Sequence, residues 1–356
     1  MKKYELIATN LVNQFQAGTI QIGEKLPTEQ QLMQSYNVSR ITVRLAMNLL
    51  EEKGLITRTA GKGTFYTGSI HAREGKKITI ALIILFSVNE LLRIAEGITA
   101  TLNDSDGKLL TYISNGNPEY ERELCRKIIE EGTDGIIIFP VDEISNREFF
   151  SDLEQRGYPL IFIDRSPLTN CNLIQANNEL GMYLMTEYLI SCGHKRIAYI
   201  SSFSYSVLRD RFRGFSNAMK KHNLTVTRDS VVALKKSPTT VSDNPENIYD
   251  EVEKLAKQDN PPTAIICSND IIALHAINKL RKMGEPYNKI SITGFDNATY
   301  SSKNAYSITT IEQDFNALGS TAIQTMLEII NNPRGKTYRI QTPVRIIKRD
   351  SVYPIE

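Results

Sequence analysis

Residues 39–66, SRITVRLAMNLLEEKGLITRTAGKGTFY, change their periodicity half-way along. Behind Ser39, a good helix cap, Val43, Ala46, Met47 and Leu50 recur at helical spacing, and Gly54 ends that pattern. From there the residues alternate, with Leu55, Thr57 and Thr59 against Ile56, Arg58 and Ala60, before a glycine turn leads into Thr64-Phe65-Tyr66-Thr67. The expectation is a helix followed at once by a two-stranded hairpin whose tip is Ala60-Gly61-Lys62-Gly63. Taken alone, Gly61-Lys62-Gly63-Thr64 suggests a loop that grips a nucleotide's phosphates. Such a loop requires a further glycine five residues before Gly61 and a helix starting at the Lys-Thr pair. Ile56 stands at the first position and Phe65-Tyr66 follow the second, so the nucleotide reading fails.

Working upstream, Leu6, Ile7, Leu11 and Phe15 give a first amphipathic helix over about 3–16, closed by Gly18 and Gly23. Thr28-Glu29-Gln30-Gln31 then reads as a capping box that opens a short second helix running to about Ser35. Three helices with a tight turn (Tyr36-Asn37-Val38) between the last two make a helix-turn-helix. On the polar side of the third helix Arg40 and Arg44 share a face, with Thr42 and Asn48 beside them. In this motif that end enters a major groove, where an arginine can fork onto guanine and a hydroxyl can touch a phosphate or a base edge. The hairpin tip brings glycines that permit close approach and Lys62 as a counter-charge. Phe65 is expected to anchor this wing to the helices behind it.

Charge is distributed accordingly. The 356-residue chain carries 42 Lys/Arg against 40 Asp/Glu, but residues 1–70 hold eight of the former and five of the latter, a net of +3. A small basic module on a near-neutral body points to a polyanion as the module's partner. No apolar run is long enough to cross a bilayer, and the N-terminal MKKYELIATNLVNQF is too interrupted by polar residues to serve as a signal peptide, so a cytoplasmic protein is expected, with no membrane partner. Cys125, Cys171, Cys192 and Cys267 lie far apart and read as buried thiols; with four equally scattered histidines they imply neither disulfides nor a metal centre, and no cofactor is expected.

Residues 69–77, SIHAREGKK, lack periodicity and read as a linker between a 1–68 domain and a 78–356 domain. Beyond it, apolar runs such as ITIALIILF, GIIIFP, PLIFID, RIAYIS, TAIICS and ISITGF alternate with amphipathic helical segments near 89–103, 118–131 and 145–156. Continuous apolar strands of this kind are buried on both faces of a parallel sheet, so the body is an α/β, doubly wound fold. Ligands of such sheets sit beyond the strands' carboxyl ends. Those ends are polar here: Ser87 and Asn89, Asp164 and Arg165, Ser201 to Tyr205, Asn269 and Asp270, Asp296 and Asn297. Paired carboxylates and amides beside Phe86, Phe139, Tyr205 or Phe295 suit the vicinal hydroxyls and apolar faces of a sugar.

Two resemblances extend this reading. Residues 23–66 resemble the winged helix-turn-helix of GntR-type bacterial regulators in their Leu-Pro-Thr-Glu start, Val-Ser-Arg-Ile-Thr-Val-Arg helix, Gly-Leu-Ile exit and Gly-Lys-Gly-Thr-Phe wing. The resemblance implies DNA contacts by Thr28, Glu29, Ser39, Arg40, Thr42, Arg44, Gly61, Lys62 and Gly63. Residues 77–356 resemble the effector domain of LacI/GalR regulators, itself similar to periplasmic sugar-binding proteins, through IDRSP (163–167), GHKRIAYI (193–200), RDRFRGF (209–215), PTAIICSNDIIAL (262–274), ISITGFDN (290–297), ITTIEQDFNALG (308–319) and RIIKRDS (345–351). This implies a two-lobed, periplasmic-binding-protein-like clamp with three crossovers, holding an effector against Asp164, Arg211, Asn269, Asp270, Asp296 and Gln313. Asn177 departs from the family's usual Asp. The joined pair is similar to arabinose-operon-type repressors.

The function expected is a dimeric transcription regulator, most simply a repressor of carbohydrate-utilisation genes released from an inverted-repeat operator by a small sugar or sugar derivative. Asp164 with Gln313 on one side, and Arg211 with Asp296 on the other, are expected to bridge the lobes through that effector. An activator is left open by the residues; a sugar carrier without a DNA role is opposed by residues 1–67, and an aminotransferase-like enzyme by the lack of a context for a Schiff-base lysine.

Overall fold

The computed structural model describes the chain apart from residues 1–2, 17–18, 22, 53–54, 60–62, 67–76, 87–88, 104–106, 237, 239–240, 303–305, 333–335 and 356. Its contacts divide it into two units, Met1–Thr79 with Thr325–Lys336, and Ile80–Gln324 with Thr337–Glu356.

In the first unit, α1 (Lys3–Gln16), α2 (Glu29–Tyr36) and α3 (Arg40–Glu52) precede the hairpin β1 (Ile56–Thr59) and β2 (Gly63–Tyr66). The capping box closes as expected, with Gln31 N donating to Thr28 Oγ1 at 3.3 Å and Thr28 N donating to Gln31 Oε1 at 2.8 Å. Asn37 turns the chain in the left-handed region (φ 47°), a conformation that asparagine adopts more readily than most residues. Ile7, Leu11, Phe15, Val43, Ala46, Met47 and Leu50 are buried together where the helical spacing placed them, joined by Leu32 and Ile56, whereas Leu6, expected on the same face, is 44% exposed. Ile56 pairs with Tyr66 across the hairpin, so both point to the same face, and the Tyr66 ring stacks on Phe15 at 4.0 Å and 9°. Phe65 pairs with Thr57 on the opposite face. Tyr66, not Phe65, therefore anchors the wing, because side chains alternate along a strand and the buried one is fixed by register.

The second unit contains β3 (Thr79–Ile84), α4 (Asn89–Asn103), β4 (Lys108–Ile113), α5 (Pro118–Glu130), β5 (Gly135–Ile138), α6 (Arg147–Gln155), β6 (Leu160–Ile163) and β7 (Leu173–Ala176), then α7 (Asn178–Ser191), β8 (Ile197–Ser202), α8 (Ser206–Lys221), β9 (Val231–Leu234), α9 (Glu246–Ala256), β10 (Ala264–Cys267), α10 (Asp270–Met283), β11 (Ser291–Asp296), β12 (Thr309–Gln313), α11 (Phe315–Asn331), β13 (Arg339–Thr342) and β14 (Val344–Ile347). Two six-stranded sheets result, ordered β4-β3-β5-β6-β7-β13 and β9-β8-β10-β11-β12-β14. The chain crosses between these lobes after β7, after β12 and after β13, giving the three crossovers that the resemblance implied. From β3 through β5, β6 and β7 to β13, and from β9 through β8, β10 and β11 to β12, neighbouring strands run parallel, and β14 runs antiparallel to β12. The central strands β5, β6 and β10 are buried throughout, as continuous apolar runs require. Cys125, Cys171 and Cys267 are buried free thiols, and Cys192 is half-buried.

Candidate functional site

On the first unit, α3 presents Arg40 and Arg44 to solvent, their side chains 64% and 56% exposed. Glu29, at the start of α2, reaches both: Arg40 Nε donates to Glu29 Oε2 at 2.9 Å, and Arg44 Nε lies 3.3 Å from each carboxylate oxygen. The Arg40 hydrogen bond, joined by that from Arg44, holds the Glu29 carboxyl below its ordinary pKa against the opposing effect of burial. Exposed ion pairs add little stability, so the consequence is geometric: two flexible side chains are held side by side, with Nε turned inward. Ser39 Oγ and Thr42 Oγ1 are 2.9 Å apart, and Arg58 donates to Asn48 Oδ1 at 2.7 Å. Of the expected wing residues, Gly61 and Lys62 lie outside the described residues. Gly63 is described, at φ 119°, and a Cβ added there would fall 2.4 Å from Lys25 Cε and 3.2 Å from its Nζ. Lys25 thus runs along the wing.

In the second unit, the second lobe gathers its cluster at the carboxyl ends of β10, β11 and β12. Arg211, on α8 and only 4% exposed, donates through Nε to Asn178 Oδ1 (2.7 Å) and through Nη1 to the Ser268 carbonyl (2.6 Å). Its Nη2 lies 3.4 Å from Asp296 Oδ1, and its guanidinium carbon lies 3.6 Å from the centre of the Phe295 ring. Gln313 Nε2 donates to the same Asp296 oxygen at 2.7 Å. The Asp296 side chain keeps 26% of its surface exposed, against 5% for that of Arg211, so the carboxylate is the part of this cluster that a ligand reaches first.

In the first lobe, Asp164 follows β6 in the left-handed region (φ 68°), as Asp296 ends β11 at φ 113°. Side-chain residues are held in that region only where the surroundings over-determine them, and such positions concentrate at functional sites. Arg165 lies 3.0 Å from Asp164 Oδ2 through both Nε and Nη2. Its guanidinium is sandwiched between Phe139 (4.9 Å) and Tyr205 of the second lobe (3.9 Å). For Asp142 burial works to raise the pKa, but hydrogen bonds from Ile144 and Ser145 together with the Arg165 charge outweigh it and hold the group ionised.

Three expectations need correction. Gln313 belongs with Arg211 and Asp296 in the second lobe, not beside Asp164 in the first, because β12 pairs with β11 in the second lobe's sheet. Asp270 is fully buried: its oxygens accept Thr310 Oγ1 at 2.6 Å and Ala298 N at 2.8 Å, and Gly294 leaves it room, since a Cβ there would sit 2.1 Å from Asp270 Oδ1. Burial first, then the Asp296 charge, pushes its pKa up to about 8. Asp270 therefore braces β11 and β12 from within and presents no group to a ligand. Asn269, 9% exposed, uses Oδ1 to cap α10 at Ile272 N (2.9 Å). Asn89 is exposed at the start of α4, and Ser87 lies outside the described residues.

The comparisons match each unit by itself. Residues 3–65 match the family of bacterial regulatory proteins called gntR, and residues 186–352 match the periplasmic binding protein-like domain. The chain thus joins a head of the bacterial regulatory protein family gntR to a periplasmic binding protein-like body. It is 27% identical over 338 residues to an arabinose metabolism transcriptional repressor of Geobacillus stearothermophilus, covering 93% of the regulator and 92% of that relative. Among solved structures, a LacI-type regulator from Bacillus cereus subsp. cytotoxis (23% identity, TM-score 0.67) covers 79% of the regulator and all of itself. A LacI family regulator from Enterococcus faecium with bound ribose (24%, TM-score 0.64) covers 78% of the regulator and likewise all of itself, and both share its fold.

Three residues of the regulator's sites escaped the sequence reading. Asn178 is buried at the start of α7 and orients Arg211; only the Asn177-Asn178 doublet hinted at it, and Asn177 takes the capping duty by accepting Leu180 N at 3.1 Å. Glu143, in the loop between β5 and α6, accepts Ser206 N at 2.8 Å and lies 3.2 Å from Arg209 Nη2, bridging the lobes at the start of α8. The available signal was negative: Tyr205 precedes that helix and makes no side-chain cap, and a carboxylate from elsewhere suits the positive end of a helix. Lys25, one of the eight basic residues of 1–70, carries no sequence signal of its place along the wing. No helix among the described residues is long and apolar enough to cross a membrane, and no His/Cys/Asp/Glu group among them is disposed to hold a metal.

Proposed function

We propose that the regulator is a dimeric repressor that binds an inverted-repeat operator through Arg40, Arg44, Thr42 and Ser39, with Thr28 and the Gly61–Gly63 wing at the backbone, and that a sugar or sugar derivative in the clamp releases it. The observation that carries this reading is the division of labour in one chain: an outward arginine pair held by Glu29 on one unit, and a half-open aspartate cluster at the strand ends of the other. The arabinose repressor of Geobacillus stearothermophilus, similar over nearly the whole chain, supports both parts.

In this mechanism the sugar meets Asp296, Arg211, Gln313 and Tyr205 from the second lobe, and Asp164 and Arg165 from the first. A ligand shifts the angle between lobes only if it binds one arrangement better, so contacts from both lobes are required. Dimeric heads dock only at a half-site spacing that matches their own, so a changed angle loosens both at once. A thermal-shift screen of pentoses, hexoses and their phosphate esters identifies the effector, because a ligand of the folded state raises its melting temperature. That compound should then abolish the gel shift on a site selected from random duplex DNA. A stabilising sugar that leaves the DNA complex intact would remove the repressor reading.

A further inference from the structure

The recognition helix points an apolar side chain outward where charge is expected. Taking about 100° per residue, the buried positions Val43, Ala46, Met47 and Leu50 centre on one side of α3, and the position about 170° from that centre is Ile41. Asn48 and Leu45 lie about 150° from that centre, and Arg44 about 110°. Ile41 is 72% exposed and Leu45 47%, while Arg40 and Arg44 beside them supply positive charge. A hydrophobic side chain at the most outward point of a helix flanked by arginines is not accounted for by the packing of the head, whose core lies on the opposite side.

The major-groove edge of duplex DNA offers donors and acceptors at every base pair, but among the four ordinary bases only thymine offers an apolar group, its 5-methyl. Ile41 also lies in the first turn of α3, and the N-terminal end of a recognition helix is the part that touches base edges. We infer that Ile41 is a specificity-determining residue that packs on a thymine methyl in each half-site, with Leu45 covering the side of that contact. The neighbouring arginines draw the helix to the polyanion and fork onto acceptors, and Ile41 excludes the bases that would place a polar edge beneath it. Ser39 and Thr42 are turned to each other at 2.9 Å, which keeps hydroxyls out of the central position. The inference rests on the DNA-binding reading of the head.

The test separates the two. The full chain is first used to select its preferred site from a random duplex pool; if nothing is enriched, the DNA-binding reading itself fails. In the selected site each thymine is then replaced singly by deoxyuridine, which removes only the methyl, and affinities are measured by fluorescence anisotropy for the wild type and for Ile41→Ala. Loss of one buried methyl group corresponds to about fourfold in affinity. The expected result is such a loss at one thymine per half-site for the wild type, and indifference to the same replacement in Ile41→Ala, which binds both duplexes like the wild type on deoxyuridine. Sensitivity that persists unchanged in Ile41→Ala overturns the assignment, as does a wild type insensitive at every thymine. Replacing Ile41 with Val, which keeps a β-branched methyl, should retain most of the discrimination and controls for folding of the helix.

Discussion

Gln313 donates to Asp296 Oδ1 at 2.7 Å, and the oxygen it uses is the one that Arg211 faces at 3.4 Å. Asp296 is thus positioned by two donors from its own lobe and offers its remaining surface to a ligand. Asp296→Ala should abolish the response to whichever sugar raises the wild-type melting temperature, while DNA affinity without sugar is unchanged. A variant that is still released by that sugar at the wild-type concentration would exclude Asp296 from the site.

Arg211 is buried and gives hydrogen bonds to Asn178 and the Ser268 carbonyl. Its removal leaves these acceptors unpaired, which costs about 3 kcal/mol where a buried charged partner is lost. Arg211→Met should therefore lower the urea midpoint of the effector unit and eliminate sugar binding together. Arg211→Lys keeps the charge but not the planar fork, so it should recover part of the stability and little of the affinity. Unaltered urea stability in Arg211→Met would contradict the internal role of this side chain.

Glu29 aligns Arg40 and Arg44 through contacts that are largely exposed. Glu29→Gln should leave thermal stability almost unchanged, because such ion pairs contribute little. The ratio of affinity for the selected site to affinity for random duplex should fall, by about fivefold if one bidentate base contact is loosened. An unchanged ratio in competition gel shifts would show that the arginines need no such alignment.

How far the sequence carried this reading varies with the kind of interaction. Helix caps and core faces were legible because they depend on residues three or four apart: Thr28 with Gln31, and Val43 with Ala46, Met47 and Leu50. The short strands β7 and β13 carried no alternation strong enough to be noticed, and they are recognised by pairing, β7 with β6 and β13 with β7. The polar strand ends were legible, but the grouping of their residues was not, since whether Gln313 lies beside Asp164 or Asp296 depends on the sheet to which β12 adds. Asp270 was indistinguishable from its neighbours because burial of a strand-end carboxylate is decided by Thr310 and Gly294, forty and twenty-four residues later in the chain.

The choice between Phe65 and Tyr66 has a direct experimental counterpart. Tyr66 stacks on Phe15 and packs against the core of the head, whereas Phe65 faces the other side. Tyr66→Ala should destabilise the head by about 3 kcal/mol, within the range for removal of a packed aromatic ring, and should free the wing. Phe65→Ala should cost about 1 kcal/mol or less. Equal losses for the two variants in chemical denaturation would refute the observed register.

Glu121 provides a pH dependence with a definite sign. It is 1% exposed on α5, where burial pushes its pKa up to about 7 from an ordinary 4.5, although Val141 N at 2.7 Å and Asn146 Nδ2 at 3.0 Å favour the ionised form. Between pH 4.5 and 7 the folded lobe holds a proton that the unfolded chain has released, so this group's contribution to stability is full below 4.5 and declines as pH rises through 7. A shift of this size corresponds to about 3 kcal/mol over that window. Glu121→Gln removes the titration: if it resembles the wild type in urea melts at pH 5, it should exceed it by about 2–3 kcal/mol at pH 8. Parallel stability curves for the two proteins between these values would exclude Glu121 as the source of the slope.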